Sequence, residues 1–174
     1  LKRYFKNYYV LNDINGILFW DNATNLPPKS IESRSELMSI LAEYIDKELR
    51  DQNIIEEINL NKTKNLNDHD KKNLLLMENI VIKEKAVDVE LKSKLIKKKL
   101  KCEHLWREAR EKNDVSLIEK DFDELLLLVH EEANQLSKPL NLSPYDALIS
   151  NYDRDYNSNK IDSLFEVIKS DIIP

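Results

Sequence analysis

Glycine is almost missing from this sequence, whose 174 residues include one Gly, five Pro and one Cys. Tight β-turns depend on such residues, so a fold rich in hairpins is excluded. The single cysteine, Cys102, excludes a disulfide within the chain and a cysteine zinc knuckle, which fits the reducing cytosol. No apolar run approaches the roughly 20 residues of a membrane helix, and no signal peptide is visible. We therefore expect a cytoplasmic protein with no membrane partner.

Charged residues are abundant, at 34% of the chain, and the net charge is −5. Many Leu, Lys and Glu favour helices with solvated faces, and the length is about that of one domain. A general nucleic-acid partner is excluded because phosphate contacts require a basic surface. One basic run is interleaved with apolar residues at helical spacing, so we interpret it as a solvated helix face. Its members are Lys92, Lys94, Lys97, Lys98, Lys99 and Lys101.

Apolar residues recur at spacings of three and four, which predicts an all-α, multi-helix array of about six to eight helices in a single region, residues 1–174. We expect the first helix over residues 1–20, a helix around Asn53–Leu60 and a loop over Asn61–Asn67. Capping residues predict the other helix starts. They are Ser30, Asn67 or Asp68, Asp88, Asn113-Asp114, Ser143 and Ser158. The segment Leu125–Val129 is apolar on all sides, so it requires cover on two faces or from a partner.

Two segments have the outline of a metal site without the residues it needs. HEEAN, residues 130–134, lacks the second His of a zinc helix, because Asn134 stands at that position. DRDYNSN, residues 153–159, begins like a calcium loop, but Ser158 replaces the required Gly and Leu164 the bidentate Glu. No nucleophile triad or phosphate-binding loop can be assembled either. From these residues we expect no catalytic or metal site.

Three separated stretches resemble the carboxypeptidase Taq family of zinc metallocarboxypeptidases. They are FWDNATNLPP (19–28) with Arg34 downstream, HLWREAREKND (104–114) and PYDALISNYDRDYNSNKIDSLF (144–165). Their order and approximate spacing also agree with the family. The chain departs from the pattern at Leu26, where the family usually has Met, and at Asp155, where it usually has Gly.

The resemblance implies the N-terminal part of a zincin-like metallocarboxypeptidase fold. A full-length enzyme would bind zinc, remove C-terminal residues from peptides and form a homodimer. The family's H-E-x-x-H helix lies beyond the point corresponding to Pro174, so we expect this chain to be the N-terminal third, to bind no zinc and to be inactive alone. It also starts at Leu1 without Met, which suggests a trimmed product. The alternative is a non-catalytic helical interaction module or a truncated remnant.

Nine residues in the matching stretches are candidates for a cleft lining or a helix junction. They are Trp20, Asp21, Thr24, Arg34, Trp106, Arg110, Tyr145, Asp146 and Tyr152. In the structural interpretation, which we favour, Trp20 plugs a helix junction and Asp21 or Thr24 caps backbone amides. In the functional interpretation, the first stretch lines the substrate cleft.

Overall fold

The computed structural model describes residues 1–172, which form eight α-helices and a short 3-10 turn at Pro28–Ser30 without any strand. The helices are α1 (Lys2–Thr24), α2 (Ile31–Arg50), α3 (Gln52–Lys62), α4 (Asp68–Ala86), α5 (Val89–Lys112), α6 (Ser116–Leu140), α7 (Pro144–Ile149) and α8 (Ser158–Ile172). The prediction of an all-α array of six to eight helices is confirmed.

Local side-chain caps explain two of the predicted helix starts. The Asn67 side chain accepts a hydrogen bond of 2.8 Å from the backbone N–H of Asp70 at the start of α4. Ser143 accepts one of 3.1 Å from the N–H of Asp146 at the start of α7. Both caps satisfy a first-turn amide that has no partner within the helix. The predicted loop Asn61–Asn67 begins late, because α3 continues to Lys62.

The end of α1 corrects two predictions about the first matching stretch. The helix continues to Thr24 instead of stopping at Trp20, and it ends before the Pro27-Pro28 pair, where proline geometry prevents continuation. Thr24 caps no amide, because its hydroxyl donates to the Trp20 carbonyl at 2.8 Å. The Asp21 carboxylate also caps no amide and instead pairs with Arg34.

Three other predicted caps differ from the structure, two in their bonding and one in its position. Ser30 and Asp88 precede α2 and α5, yet neither side chain bonds to a first-turn amide. At α8 the cap comes from Asn157, whose side-chain oxygen accepts from the N–H of Lys160 at 3.0 Å. The predicted cap, Ser158, is itself the first helical residue.

Two apolar clusters hold the helices together. The first is built from the four helices α1, α2, α3 and α4. It consists of Phe5, Leu49, Ile54, Ile58, Leu74 and Val81. The second joins α5, α6 and α7 and consists of Val87, Leu91, Leu95, Leu136 and Ala147. Helix α5 packs against both α2 and α6, so it connects the two halves of the array.

A buried ionic cluster lies where α2, α4 and α5 meet. Asp46 is only 2% exposed, and its carboxylate accepts from Lys92 Nζ at 2.7 Å and pairs with Arg50. Lys92 Nζ also lies 2.7 Å from both the carboxylate and the carbonyl of Glu84. Arg50 donates to the carbonyl of Val87 at 2.9 Å. The cluster therefore satisfies carbonyls at the C-terminal end of α4, which have no donor within that helix.

Large apolar side chains remain uncovered on several helices, among them α6 and α8. In α6, Leu125, Leu128 and Val129 pack against the second cluster, whereas Leu126 and Leu127 are exposed. Helix α8 buries none of its residues and exposes an apolar series that includes Phe165. The prediction that α8 and Leu125–Val129 are partly uncovered is confirmed. Along residues 1–172, none of the helices has the length and apolarity to cross a membrane.

Candidate functional site

The first two matching stretches meet where the end of α1 contacts the middle of α5. Asn22 Nδ2 donates to a carboxylate oxygen of Glu103 at 3.0 Å, and Arg107 donates to the carbonyl of Ala23 at 3.3 Å. A cavity of about 300 Å³ lies at this contact. Its lining includes Leu26, Pro28, Ile31, Leu100, His104 and Glu108. Segments far apart in the sequence thus form one concave surface.

An ion pair joins α1 to α2 beside this cavity. Arg34 donates one guanidinium N–H to Asp21 at 2.5 Å and another to the carbonyl of Leu18 at 2.8 Å. The Arg34 side chain is 14% exposed, so two of its donors are held in a largely dry position. Charge-assisted bonds of this kind fix orientation as well as adding energy. Asp21 and Arg34 therefore hold the hairpin of α1 and α2 together.

The two tryptophans lie on the surface. Trp20 is 63% exposed, so the prediction that it plugs a helix junction is wrong. Trp106 is 49% exposed, and the Arg110 guanidinium lies over its ring at 5.5 Å from the centroid. This distance is within the range of a cation–π contact. Both indoles offer apolar surface to another molecule or segment.

The third matching stretch packs on α6 and organises the start of α8. Asp146 accepts from the N–H of Ser158 at 2.7 Å and from the hydroxyl of Ser143 at 2.8 Å. These two donors hold the pKa of the Asp146 carboxyl below its usual value. The nearby Tyr145 and Tyr152 are exposed, Tyr152 to 95%. Asp146 is thus a junction residue between α7 and α8, with two tyrosines on the surface around it.

The acidic residues around the cavity do not form a metal centre. Glu103 receives hydrogen bonds from Asn22 and Arg107, and Glu108 pairs with Lys112 at 2.6 Å. The hydrogen bond from Lys112 lowers the pKa of the Glu108 carboxyl. In the part of the chain that the structure describes, no group of three or more His, Cys, Asp or Glu side chains could hold an ion. The residues present do not fit a zinc ion.

The basic run on α5 is engaged by acids of α6. Lys98 Nζ lies 2.7 Å from Asp121 and 2.5 Å from Glu124, and Lys101 Nζ lies 2.8 Å from Asp121. These hydrogen bonds raise the pKa of Lys98 and lower the pKa of both carboxyls. The run is therefore in part an interhelical ion-pair face, which sequence reasoning missed. The sequence did contain an indication of this face, because Asp121 and Glu124 are three residues apart and therefore lie on the same side of α6.

Comparison with known proteins connects this fold to metallopeptidases. The curated relative thermostable carboxypeptidase 1 of Pyrococcus furiosus is 22% identical over 173 residues, which are 98% of this chain and 34% of that protein. The solved metallocarboxypeptidase 1 of Trypanosoma cruzi has a TM-score of 0.77 at 23% identity, over 98% of this chain and 34% of its own. A solved carboxypeptidase of Pyrococcus furiosus has a TM-score of 0.76 at 21% identity, with 97% and 34% covered.

The fold is thus that of one part of a metallopeptidase. The sequence profile of the family described as carboxypeptidase Taq (M32) metallopeptidase matches residues 1–174. The chain belongs to this family. It spans about a third of the length of the relatives that it matches, 34% in each of the three above.

Proposed function

We propose that this chain is the N-terminal third of a zinc-dependent carboxypeptidase that removes C-terminal residues from peptides. The observation that carries the proposal is the family match over the whole chain, combined with coverage of only 34% of a full-length relative. The zinc ligands would come from the other two thirds, since residues 1–172 contain no suitable group. No catalytic step is assigned to residues of this chain, and we expect it to be inactive alone.

Within such an enzyme, the chain supplies framework and cleft surface. We assign Asp21, Arg34 and Asp146 to helix junctions, because each is engaged in bonds between elements. The exposed aromatic residues are suited to line the cleft, because they present apolar area at the surface. They are Trp20, Trp106, Tyr145 and Tyr152.

Complementation tests this assignment. We expect the purified chain with added zinc to release no amino acid from the C-terminus of a peptide. We expect coexpression with the remaining two thirds of a family enzyme to restore release that a chelator abolishes. The same two thirds without this chain are the control. Chelator-sensitive release by this chain alone, or no restoration in a soluble complex of the two parts, would contradict the proposal.

We also propose that the protein forms a homodimer in the cytoplasm. One apolar stripe on the outer face of α1 supports self-association, with Val10, Ile14 and Ile17 all at least 44% exposed. These residues are spaced by four and three, so they lie on one side of the helix. Contiguous apolar surface of more than a few hundred Å² commonly marks an interaction site. Sedimentation at micromolar concentration should therefore show a dimer or larger species, and a monomer of 20.5 kDa would contradict this.

The second candidate function is a non-catalytic helical interaction module, derived from such an enzyme. The exposed apolar faces of α1 and α8 are the observation that favours it. The nucleotides after the Pro174 codon distinguish the two candidates. An open frame that encodes H-E-x-x-H supports the enzyme, and an immediate stop codon supports the module.

A further inference from the structure

An apolar groove lies between α3, α4 and the last turn of α6. Its volume is about 370 Å³. Ile58 and Val81 form its floor, each only 2% exposed, and Ile55 and Pro139 lie along its edges. Small-molecule pockets usually measure about 300–1,000 Å³, so the groove suits a small ligand.

Helix α4 places one charge at each end of this groove. Glu78, Val81, Ile82 and Lys85 all line it, at spacings of three and four that put them on one face of the helix. Glu78 and Lys85 are seven residues apart, which corresponds to about 10 Å along the axis. The apolar side chains of Val81 and Ile82 occupy the space between them. The groove is thus an apolar channel with an acid at one end and a base at the other.

The two charges differ in their partners. Glu78 is paired with Lys62 at 2.5 Å. Lys85, by contrast, makes no hydrogen bond or ion pair among residues 1–172, and Asp51 acts on it only through its charge. Burial, and then the nearby positive charge of Arg50, lower the pKa of Lys85, and the carboxylate of Asp51 offsets them only in part. An anion beside the Lys85 ammonium would offset both effects, because it favours the charged form.

We propose that this groove binds a small aliphatic monocarboxylate, with the carboxylate on Lys85 and the chain along Ile58 and Val81. The opposite orientation would put the carboxylate beside Glu78, which repels it and already engages the Lys62 ammonium as its own counter-charge. The aliphatic chain would lie on the apolar floor and cover the exposed side chain of Ile55, and its single charge would meet the Lys85 ammonium, which has no hydrogen-bonded partner among residues 1–172. This site is independent of the peptidase assignment, because it uses no residue of the three family-like stretches.

Amide chemical shifts during titration with octanoate test the proposal. We expect saturable shifts centred on Ile58, Val81 and Lys85. Octanol has the same chain without the charge, so it should bind about tenfold more weakly, since bonds to charged groups are the stronger ones. Butanoate should also bind more weakly because it buries fewer methylene groups.

Three variants of the chain separate the contributions of charge and apolar surface. Lys85→Gln should weaken octanoate about tenfold and leave octanol unchanged. Lys71→Gln is the matched control, because Lys71 lies on the same helix but is 61% exposed and pairs with Asp68. Ile55→Ser should weaken both ligands, and its fold should persist because Ile55 is 42% exposed.

Several outcomes would overturn the proposal. They are the absence of saturable shifts, shifts centred on α1 or α8 instead of the groove, equal affinity for octanol and octanoate, and unchanged octanoate binding by Lys85→Gln. Circular dichroism of each variant separates loss of the ligand contact from loss of the fold. Octanoate binding does not depend on peptidase activity. A failed complementation test would therefore leave the groove proposal standing, and the absence of octanoate binding would leave the peptidase proposal standing.

Discussion

Replacement of Asp46 by Ala should destabilise the protein more than any change to a surface ion pair. The Asp46 side chain is 3% exposed and lies between Lys92, 17% exposed, and Arg50, 36% exposed. Removing the carboxylate takes away the counter-charge that the two cations share. Breaking a fully buried ion pair in this way costs about 3–5 kcal/mol.

The expected cost here is smaller, because neither cation is left without a partner. Lys92 keeps the carboxylate of Glu84 at 2.7 Å, and Arg50 keeps its bond to the Val87 carbonyl and reaches water. We therefore expect the free energy of unfolding to fall by about 2–3 kcal/mol. For a domain of this size, that corresponds to a melting temperature lower by about 4–12 °C.

Urea unfolding followed by circular dichroism measures the effect. Lys92→Met and the double variant Asp46→Ala/Lys92→Met complete a thermodynamic cycle. The double variant should lose less free energy than the sum of the two single losses, by about 1 kcal/mol or more, because both single changes remove the same contact between Asp46 and Lys92. Glu90→Ala is the control, since its pair with Lys94 on α5 is exposed and its unfolding midpoint should match the wild type. A loss below about 0.5 kcal/mol for Asp46→Ala would refute the reasoning.

Three further predictions follow from single side chains. Burial, and then the charge of Glu84, raise the pKa of Tyr8 from 10.0 to about 12, so its stabilising contribution is complete below pH 10 and is lost as the pH rises through 12. Ultraviolet titration should show one tyrosine that ionises only near pH 12, and this ionisation step should be absent in Tyr8→Phe. Burial also raises the pKa of the Cys102 thiol, which is 5% exposed, so a thiol reagent should react slowly until urea unfolds the chain. Asp146→Ala should speed amide exchange at the start of α8, near Ser158, and leave α6 unchanged, whereas equal protection in both helices would contradict its junction role.

Local features of the sequence were sufficient to predict the helices. A period of 3.6 residues is a property of neighbouring positions, so the elements and the all-α class follow from spacing alone. The caps at Asn67 and Ser143 are likewise contacts over three residues, and both are confirmed. The family resemblance also depends on short stretches, and it is confirmed over residues 1–174.

Contacts between segments that are distant in the sequence determined which side chains are buried and which charges are paired. Trp20 is exposed although its neighbours suggested a buried plug, because helical spacing says which residues share a face and not what covers it. Asp46 meets Lys92, 46 residues further along the chain, and no local pattern distinguishes that buried carboxylate from a solvated one. The groove with Lys85 at one end likewise exists only because α3, α4 and α6 come together. Burial and electrostatic pairing depend on the packing of whole helices, so the tertiary structure alone determined them.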